Sequence, residues 1–399
     1  MSENKIKYIT YQLFPSKRAN TLQTIKNIKY FTKKTDVELI FPDRRQGSKE
    51  KQIDLELIND FYDEELNIAI TATNHSGSFS RSYYNKLPKV LKQITYLNNH
   101  IKWSKEISKK NVHKEDNIFT RSIFILYFCI NKCNRIIYEC HQLTKLTKFL
   151  LKRLEQKETT YDLIFINENL ESILIDLGLN KDRIHCLPSG YDEEVFKNDN
   201  KEVLRKKRGL SDNNIVYIFA GNLELVGAHR PLDKVLIEYL NLQKNKKIQN
   251  SKLYIFCEPI EKRKELVQIL DQYGNNENVF INEYVSHTEI IKWMMASDIG
   301  LNPLPDNFFS NNFASTLKIV EYLRANLLLL GSNVFANSRF KQEGYEVLLF
   351  NNNENTNISD KLLEAYSFIR SGRKVENSSA VSQYSLQSRS NKILNIFYN

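Results

Sequence analysis

Short apolar runs rich in Ile, Val, Phe and Tyr alternate with longer amphipathic segments along almost the whole chain. The apolar runs predict two successive series of strands. The first series is Tyr8–Phe14, Val37–Phe41, Ile68–Thr71, Ile118–Thr120, Ile136–Tyr138 and Leu163–Ile166, and the second is Ile215–Ala220, Leu253–Phe256, Val279–Ile281, Ile299–Leu301, Leu327–Leu330 and Val347–Phe350. Most segments between the runs are long enough for a helix, as at Thr21–Lys33, Leu87–Ile107, Arg263–Tyr273 and Leu317–Arg324. This alternation predicts an α/β fold of two doubly wound, Rossmann-like domains, each a parallel sheet covered by helices, that face each other across a cleft.

A break in the pattern separates the two series. Pro188, Ser189 and Gly190 interrupt the alternation, and the polar stretch Lys197–Glu202 follows them. We therefore expect an N-terminal domain over residues 1–192 and a C-terminal domain over residues 193–375. The remaining residues, 376–399, close with the pattern of a last helix, which is expected to pack back toward the N-terminal domain.

The composition is that of a folded chain. Of the 399 residues, 41% are hydrophobic and 11% are aromatic, which is too many for intrinsic disorder. The longest purely apolar run, Ile123–Ile130, is far shorter than the ~20 residues that span a bilayer. The first residues lack the basic and then apolar pattern of a secretory signal, so we expect a cytoplasmic protein. The five cysteines include no C-x-x-C pair, which favours free thiols over disulfides or a structural zinc site.

The positive charge is concentrated in one segment. The chain carries a net +10, and Lys86–Lys157 alone holds 16 Lys or Arg against 5 Asp or Glu, a local balance of +11. Within it, residues 143–157 combine leucines at helical spacing with basic side chains: Leu143, Leu146, Leu150, Leu154, Lys145, Lys148, Lys152 and Arg153. Such a helix fits an anionic membrane surface or ligand, or equally a core-facing helix with a solvated basic side. The sequence has no recognised DNA- or RNA-binding motif, so nucleic acid is not an expected partner.

Several familiar catalytic motifs do not occur in the sequence: G-x-G-x-x-G, Walker A, G-x-S-x-G and H-E-x-x-H. Their absence argues against a dinucleotide-dependent oxidoreductase, a P-loop kinase, a serine hydrolase and a zincin. In open α/β sheets, ligands bind where the carboxyl ends of strands lead into helix N-termini. The candidate site residues are therefore the polar ones that directly follow predicted strands.

Polar motifs occur at several of these positions. In the N-terminal half they are Pro15-Ser16-Lys17-Arg18-Ala19-Asn20, Tyr138-Glu139-Cys140-His141 and Leu187-Pro188-Ser189-Gly190-Tyr191-Asp192. In the C-terminal half they are Ala220-Gly221-Asn222-Leu223, His229-Arg230, the run A-S-D-I-G-L-N-P-L-P at 296–305, and Leu317-Lys318-Ile319-Val320-Glu321-Tyr322. In this order the set resembles the retaining nucleotide-sugar glycosyltransferases of the GT-B fold, family 4 type, over most of the chain. The pair A-S-D-I-G-L-N-P-L-P and K-I-V-E-Y is the most specific part of the resemblance.

The resemblance implies a role for each motif. Glu321 would bind the two ribose hydroxyls of the nucleotide, because a carboxylate can accept from two neighbouring hydroxyl donors. Lys318 would add positive charge at the diphosphate, and His141 would contact the donor sugar or the acceptor side. The positions assigned to the donor are Glu321, Ser315, Thr316, Gly221, Asn222, Asn311 and Asn312, and those in the loop that covers the diphosphate and the acceptor are Ser16, Lys17, Arg18 and Asn20.

The sequence departs from the family pattern at two places. The family has an acidic residue eight positions before Glu321, where this chain has Phe313, so the sugar-hydroxyl contact would pass to Asn311 or Asn312. The basic residues that usually follow the first C-terminal strand are Asn222 and Gly227 here, and Arg230 is the nearest substitute.

Each of these residues also has a structural alternative. Glu321 could complement a helix dipole, Arg230 could be a surface arginine, and His141 could be a buried histidine that is hydrogen-bonded within the fold.

Together with the resemblance, the sequence predicts a retaining hexosyltransferase-type enzyme that moves a sugar from a nucleoside diphosphate to a hydroxyl acceptor. No metal or other cofactor is expected, since the chain has no D-x-D sequence; the expected catalytic set is His141, Arg230 and Lys318. The basic segment suggests that the acceptor is a surface polysaccharide or a lipid-linked oligosaccharide at a membrane. A nucleotide-sugar 2-epimerase on the same scaffold, and a non-catalytic module for an anionic polymer or membrane surface, remain alternatives.

Overall fold

The computed structural model describes residues 5–16, 18–43, 53–74, 88–141, 143–157, 159–197, 200–274, 277–314 and 317–398. The chain divides into two compact units, Met1–Pro188 with Arg389–Asn399, and Ser189–Ser388. We call them the N-terminal and the C-terminal unit. The division falls within the Leu-Pro-Ser-Gly-Tyr-Asp motif, where the alternating pattern also breaks.

The described residues of the N-terminal unit form a parallel sheet of seven strands in the order β3-β2-β1-β4-β5-β6-β7. The strands are β1 (Lys5–Ile9), β2 (Asp36–Asp43), β3 (Ala69–Asn74), β4 (Asn117–Thr120), β5 (Arg135–Cys140), β6 (Asp162–Phe165) and β7 (Ile184–Cys186). The helices are α1 (Ala19–Phe31), α2 (Leu55–Tyr62), α3 (Lys89–Lys110), α4 (Ile123–Cys129), α5 (Lys145–Glu155) and α6 (Leu170–Asp176), with a 3-10 turn at Lys181–Arg183.

Strand β1 begins and ends earlier than the predicted Tyr8–Phe14. It covers Lys5–Ile9 and pairs with β2 on one side and β4 on the other. The prediction started too late because lysines are unusual in a central strand. Lys7 is accommodated because its Nζ donates to Asp116 Oδ2 at 2.7 Å and to Asn111 O at 2.8 Å.

The C-terminal unit contains a second parallel sheet, with six strands in the order β12-β11-β8-β13-β14-β15 over the described residues. The strands are β8 (Ile215–Asn222), β11 (Ser251–Glu258), β12 (Val279–Asn282), β13 (Ile299–Asn302), β14 (Leu328–Ser332) and β15 (Val347–Phe350), and β9 (Glu224–Leu225) and β10 (Ala228–His229) form a small antiparallel hairpin. The helices are α7 (Lys201–Lys207), α8 (Leu232–Lys244), α9 (Ile260–Gln272), α10 (His287–Ala296), α11 (Phe308–Asn312), α12 (Leu317–Arg324), α13 (Phe335–Gln342), α14 (Asn355–Arg370) and α15 (Leu386–Tyr398), with 3-10 turns at Glu193–Phe196 and Ala380–Tyr384.

Alternate residues of β8 pack into two apolar clusters, one on each face of the six-stranded sheet. Tyr217 and Phe219 belong to one apolar cluster, and Val216 and Ile218 belong to the other. This is the period of two that places successive side chains on opposite faces of a sheet. Both faces are therefore buried, which explains why the strand is an almost unbroken apolar run.

The closing helix α15 ends in the N-terminal unit. Ile393, Leu394 and Phe397 are buried in the same apolar cluster as Ile6 and Tyr8 of β1. The residues of this helix from Arg389 onward belong to that unit, whereas the helix begins at Leu386.

The predicted α/β class with two parallel sheets is confirmed, and each predicted strand overlaps an observed one. The prediction missed β7, β9 and β10, which have two or three residues each and are too short to show a periodic pattern.

Helix α5 carries the basic pattern noted in the sequence. Its inner face is formed by Thr147, Leu150, Leu151 and Leu154. Leu146 is 36% exposed and Phe149 is 60% exposed, on the side that also carries lysines. The helix therefore has a buried apolar face and a basic outer face that includes two apolar side chains. Among the helices that the structure describes, none combines the length and the apolar character needed to cross a bilayer.

Candidate active site

Each sheet has a point where the strand order reverses, and polar side chains gather beside both points. The reversal lies between β8 and β13 in the C-terminal unit, and between β1 and β4 in the N-terminal unit. Open α/β folds bind ligands outside the carboxyl ends of the strands at such a point.

A buried ammonium group lies at the carboxyl end of β8. Lys318, at the start of α12, holds its Nζ 4.7 Å from the centroid of the Phe219 ring, and this Nζ has no hydrogen-bond partner within the described residues. Burial lowers the pKa of Lys318 well below its usual value; the charge of Arg230 lowers it further, and Glu321 opposes the shift. An unpaired buried charge is unfavourable, so this position is prepared for a negatively charged ligand.

Gly221 provides the space for this ammonium group. Its φ is +139°, a conformation that residues with a side chain rarely adopt. A Cβ at this position would overlap Lys318 Nζ. The A-G-N motif at the end of β8 thus brings the backbone close to the tip of Lys318.

Arg230 is a second buried cation in the same unit. It follows the β9–β10 hairpin, and only 4% of its surface is exposed. Its Nη1 faces Asn302 Oδ1 at 3.4 Å and Pro303 O at 3.3 Å, and its Nε has no partner in the part of the chain that is described. Burial lowers the pKa of Arg230 to about 10. The alternative of a surface arginine is therefore wrong.

The acceptor opposite Arg230 is itself held in place. Asn302 Nδ2 donates to Asn337 Oδ1 at 2.7 Å, and Asn337 Nδ2 donates to Ser332 O at 2.7 Å. Because the amide nitrogen of Asn302 is engaged in this way, its oxygen faces Arg230. The asparagine of the A-S-D-I-G-L-N-P-L-P run thus orients the guanidinium group.

Glu321 is fixed by a histidine that the sequence analysis did not identify. Glu321 is 3% exposed, and its Oε1 accepts a hydrogen bond from His287 Nε2 at 2.7 Å. His287 is the first residue of α10, and the N-cap Ser286 accepts from Glu289 N at 3.3 Å. The S-x-x-E capping box was the visible signal for this helix start. Glu321 does not lie in the first turn of α12, so the alternative of a simple helix-dipole glutamate is wrong.

Phe313, which stands where the related family has its first acidic residue, is part of an aromatic group. Its ring stacks with Phe309 at 5.9 Å and 22°, and it meets Phe308 edge-on at 5.6 Å. Phe308 is 66% exposed. The side chain at this position is apolar and cannot form a hydrogen bond with a sugar hydroxyl.

The two neighbouring asparagines serve the local fold. Asn311 Oδ1 accepts from Phe335 N at 2.9 Å, at the start of α13, and its Nδ2 donates to Asp306 Oδ1 at 3.0 Å. Asn312 Nδ2 donates to Phe308 O at 2.9 Å. Their contact with a donor sugar stays a prediction.

The N-terminal cluster is centred on Glu139, which is fully buried at the end of β5. Its Oε1 accepts from His141 Nε2 at 2.6 Å, from Arg389 Nη2 at 3.0 Å and from Arg121 Nη2 at 3.1 Å. Although burial alone raises the pKa of Glu139, the charges of Arg121 and Arg389 hold it well below its usual value. Burial and the charge of Arg121 lower the pKa of His141.

The first turn of α1 approaches this cluster at Asn20. Arg121 Nη1 donates to Asn20 O at 3.3 Å. Ser16 lies in the loop before α1, where its backbone exchanges hydrogen bonds with Tyr62 Oη at 2.9 Å. Arg18 is exposed at the N-cap of α1.

The structure therefore groups the predicted residues unequally. Gly221, Arg230, Lys318 and Glu321 gather in the C-terminal unit, and His141 and Asn20 adjoin the Glu139 cluster. Asn222 is exposed, and its Oδ1 accepts from Glu224 N at 2.8 Å. The predicted site residues Lys17, Ser315 and Thr316 lie outside the described residues. His287, Arg121 and Arg389 were not predicted as site residues, and no role was predicted for Glu139.

The chemistry available in both clusters is that of charge and hydrogen bonding. Within the described ranges, no group of three or more His, Cys, Asp or Glu side chains could hold a metal ion. The C-terminal cluster offers two cations and a carboxylate, and the N-terminal cluster offers an imidazole whose side chain is 30% exposed.

No protein-family model and no curated protein matches the sequence. The fold, however, matches solved structures over nearly the full length. A glycosyltransferase from Rickettsia africae has a TM-score of 0.69 at 16% identity, with 100% of this chain and 98% of that chain covered. HepE from Anabaena has a TM-score of 0.65 at 13% identity, with 99% of each chain covered. Sucrose-phosphate synthase from Thermosynechococcus elongatus has a TM-score of 0.67 at 10% identity, with 99% of this chain and 98% of that chain covered. These structures are GT-B glycosyltransferases, and the chain shares their fold.

Proposed function

We propose that this chain is a glycosyltransferase that moves a sugar from a nucleoside diphosphate to a hydroxyl acceptor. The observation that carries the proposal is the buried, unpaired ammonium of Lys318 together with the buried guanidinium of Arg230, whose charge lowers the pKa of Lys318. Two desolvated cations that lack an ion-pair partner in the described residues suit a ligand with two negative groups. A diphosphate is such a ligand.

Glu321 supports a nucleotide as the rest of this ligand. His287 engages Oε1, which leaves Oε2 of a mostly buried carboxylate for hydroxyl donors. A ribose supplies two adjacent hydroxyls of this kind. Lys318 and Arg230 would thus bind the diphosphate end of the ligand, and Glu321 would bind its ribose.

The fold relatives favour a UDP-sugar as the first donor to test. Structures of Anabaena HepE contain UDP with glucose and UDP-glucose. We therefore propose a UDP-hexose donor and a family 4 type of enzyme, in keeping with the K-I-V-E-Y element. Phe313 at the position of the usual acidic residue predicts weaker recognition of a sugar hydroxyl there.

We propose that transfer proceeds with retention of the anomeric configuration. The C1–O bond to the diphosphate breaks, a new C1–O bond forms to the acceptor oxygen on the same face, and the acceptor proton passes to the leaving phosphate oxygen. Lys318 and Arg230 stabilise the charge that develops on the departing diphosphate, so no cofactor or metal is required. His141 binds a hydroxyl of the sugar or of the acceptor.

The acceptor proposal rests on helix α5. Its outer face combines basic side chains with the exposed Phe149 and Leu146. A lipid-linked oligosaccharide or surface polysaccharide at an anionic membrane would fit this face. The enzyme would then act as a peripheral protein at the cytoplasmic side of the membrane.

Thermal-shift titration with UDP, GDP, ADP, CMP and dTDP tests the donor site. A nucleotide at ~100-fold its Kd should stabilise the wild type by ~2.7 kcal/mol. Glu321→Gln should lose this stabilisation, whereas Glu364→Gln, an exposed glutamate on α14, should keep it. If no nucleotide stabilises the wild type, the proposal is wrong and the alternative of a non-catalytic binding module is favoured.

The reaction itself is tested with the donor that this titration selects. Incubation without acceptor should give slow hydrolysis, and NMR of the released sugar should show the donor's anomeric configuration at first formation. Isomerisation of the sugar nucleotide instead would identify a 2-epimerase. Inversion at C1 would contradict the family 4 assignment while leaving transfer intact.

A further inference from the structure

We propose that Glu139 and Arg389 are positioning residues that fix the His141 ring with its proton on Nε2, so that Nδ1 is a hydrogen-bond acceptor. The three side chains belong to one cluster in the N-terminal unit, although Arg389 comes from the closing helix. The inference that Nδ1 binds a substrate hydroxyl rests on the proposed transferase function, whereas the inference about the proton position does not.

The hydrogen-bond chemistry of Glu139 determines the proton position. An ionised carboxylate only accepts, so the His141 Nε2 atom at 2.6 Å from Oε1 must donate. Glu139 remains ionised because Arg121 donates to both of its oxygens and Arg389 donates to Oε1. Within the described residues, no side chain or backbone group forms a hydrogen bond with Nδ1 of His141.

The charges around the ring keep it neutral. The groups that act on His141 are the carboxylate of Glu139 and the guanidinium groups of Arg121 and Arg389, which together carry one net positive charge. Protonating the ring would add a second positive charge to a buried cluster, which is unfavourable. A neutral ring with its proton on Nε2 has its lone pair on Nδ1.

This assigns a chemical class to the group that His141 recognises. A lone pair on Nδ1 accepts a hydrogen bond from a hydroxyl, but it repels a carboxylate or phosphate oxygen. His141 would therefore select a substrate hydroxyl at this position. A uronic acid with its carboxylate at the same place would be rejected.

Arg389 makes this arrangement depend on the closing helix. Its side chain is 4% exposed, and it also donates to Pro188 O at 3.0 Å and reaches Asn27 Oδ1 at 3.4 Å. The guanidinium group is therefore held from several directions while one nitrogen faces Glu139. A residue from the end of the chain thus completes the environment of a histidine in its first half.

The proposal is tested by nitrogen-15 NMR of the histidine rings in the full-length protein, without any ligand. His141→Gln identifies the resonances of His141. At neutral pH, we expect a pyrrole-type signal from Nε2 and a pyridine-type signal from Nδ1. The opposite assignment, or a mixture of the two forms, overturns the proposal.

Titration of the same signals separates the two positioning residues. Glu139→Gln removes the negative charge and should lower the pKa of His141 below that of the wild type. Arg389→Met removes a positive charge and should raise it, while Arg389→Lys should stay near the wild-type value. Glu139→Asp keeps the charge and should restore the pKa toward that of the wild type.

Arg135→Met is the matched control. Arg135 also contacts the closing helix, through Phe397 O at 3.3 Å, but it pairs with Asp162 rather than Glu139. We expect no change in the pKa of His141 in this variant. Equal shifts in Arg135→Met and Arg389→Met would mean that loosening of the helix, and not the charge at Glu139, causes the effect. A failure of the nucleotide titration would leave these NMR outcomes unchanged, so the two proposals fail separately.

Discussion

His287 Nε2 donates to Glu321 Oε1 at 2.7 Å, and this bond joins the start of α10 to the K-I-V-E-Y element of α12. The carboxylate is therefore oriented before any ligand arrives. Pre-orientation lowers the entropy that binding must overcome, because the side chain no longer has to be ordered by the ligand. His287 is thus expected to contribute to nucleotide affinity without contacting the nucleotide.

The first prediction concerns this histidine. His287→Ala removes the hydrogen bond to Glu321, so we expect nucleotide affinity to fall about 3- to 10-fold. Isothermal titration calorimetry with the nucleotide that stabilises the wild type measures the effect. In the Glu321→Ala background, His287→Ala should lower nucleotide affinity little further, because the hydrogen bond is already lost.

His229→Ala is the control for this experiment. His229 pairs with Asp233 at 3.2 Å on the surface of the same unit, and both side chains are more than a third exposed. We expect its nucleotide affinity to equal that of the wild type. If His287→Ala also binds with wild-type affinity, Glu321 does not depend on this bond.

The second prediction is that Lys318→Met makes the ligand-free protein more stable while it weakens nucleotide binding. The buried ammonium lacks a hydrogen-bond partner among the described residues, and its removal should raise the free energy of unfolding by about 1–3 kcal/mol. Because the folded-state pKa of Lys318 is lowered, the unfolded state binds its proton more tightly at neutral pH. The stability difference between the variant and the wild type should therefore shrink as the pH rises toward the ordinary pKa of lysine.

Urea unfolding at several pH values measures this difference, and Lys244→Met serves as the control. Lys244 is exposed at the end of α8 and should show neither the gain in stability nor the pH dependence. A Lys318→Met protein that is less stable than the wild type would mean that the ammonium is compensated within the folded chain.

The third prediction compares two glycines with positive φ. Gly221→Ala and Gly227→Ala should each lower stability by about 1–3 kcal/mol, because φ is +139° at one position and +78° at the other. A Cβ at Gly221 also displaces Lys318 Nζ, whereas a Cβ at Gly227 has nothing within 4 Å. Only Gly221→Ala should therefore lose nucleotide affinity beyond its effect on stability. Calorimetry measures the nucleotide affinities of the two folded variants. Equal affinities would show that Gly221 is not part of the nucleotide site.

The strands and helices could be predicted because their signal is local. The almost unbroken apolar run of β8 is visible in its own eight residues. The start of β1 was misplaced because Lys7 is neutralised by Asp116, which is 109 positions away in the sequence. No periodicity reports a partner at that distance.

The candidate site was predictable only where a motif carried it. The K-x-x-E-Y element predicted Lys318 and Glu321 as site residues, and the E-C-H sequence predicted His141; these roles stay predictions. The partners that give these residues their properties come from distant segments. His287 is 34 positions from Glu321, and Arg389 is 250 positions from Glu139, so a single sequence does not reveal either pair.

The fourth prediction is a pH dependence of stability at His141. Its folded-state pKa is lowered by burial and by Arg121, so the unfolded state takes up the proton first as the pH falls. The wild type should therefore lose stability relative to His141→Gln when the pH is reduced from about 7.5 to about 5. Urea unfolding of both proteins at the two pH values measures the change. His113→Gln, at an exposed histidine, should follow the wild type, and a constant difference for His141→Gln would contradict the lowered pKa.

The last prediction tests the outer face of α5 as a membrane-binding surface. Lys145→Glu, Lys148→Glu and Lys152→Glu together should abolish sedimentation with anionic vesicles, since each basic residue contributes about 1 kcal/mol near such a surface. Phe149→Ser leaves the charge unchanged but removes a 60% exposed ring, and it should weaken binding about 10-fold at any salt concentration. Phe308→Ser removes a similarly exposed ring from the C-terminal unit and should bind like the wild type. Wild-type sedimentation of the triple variant would show that the basic side of α5 is only a solvated surface, and the acceptor would then have to be sought away from the membrane.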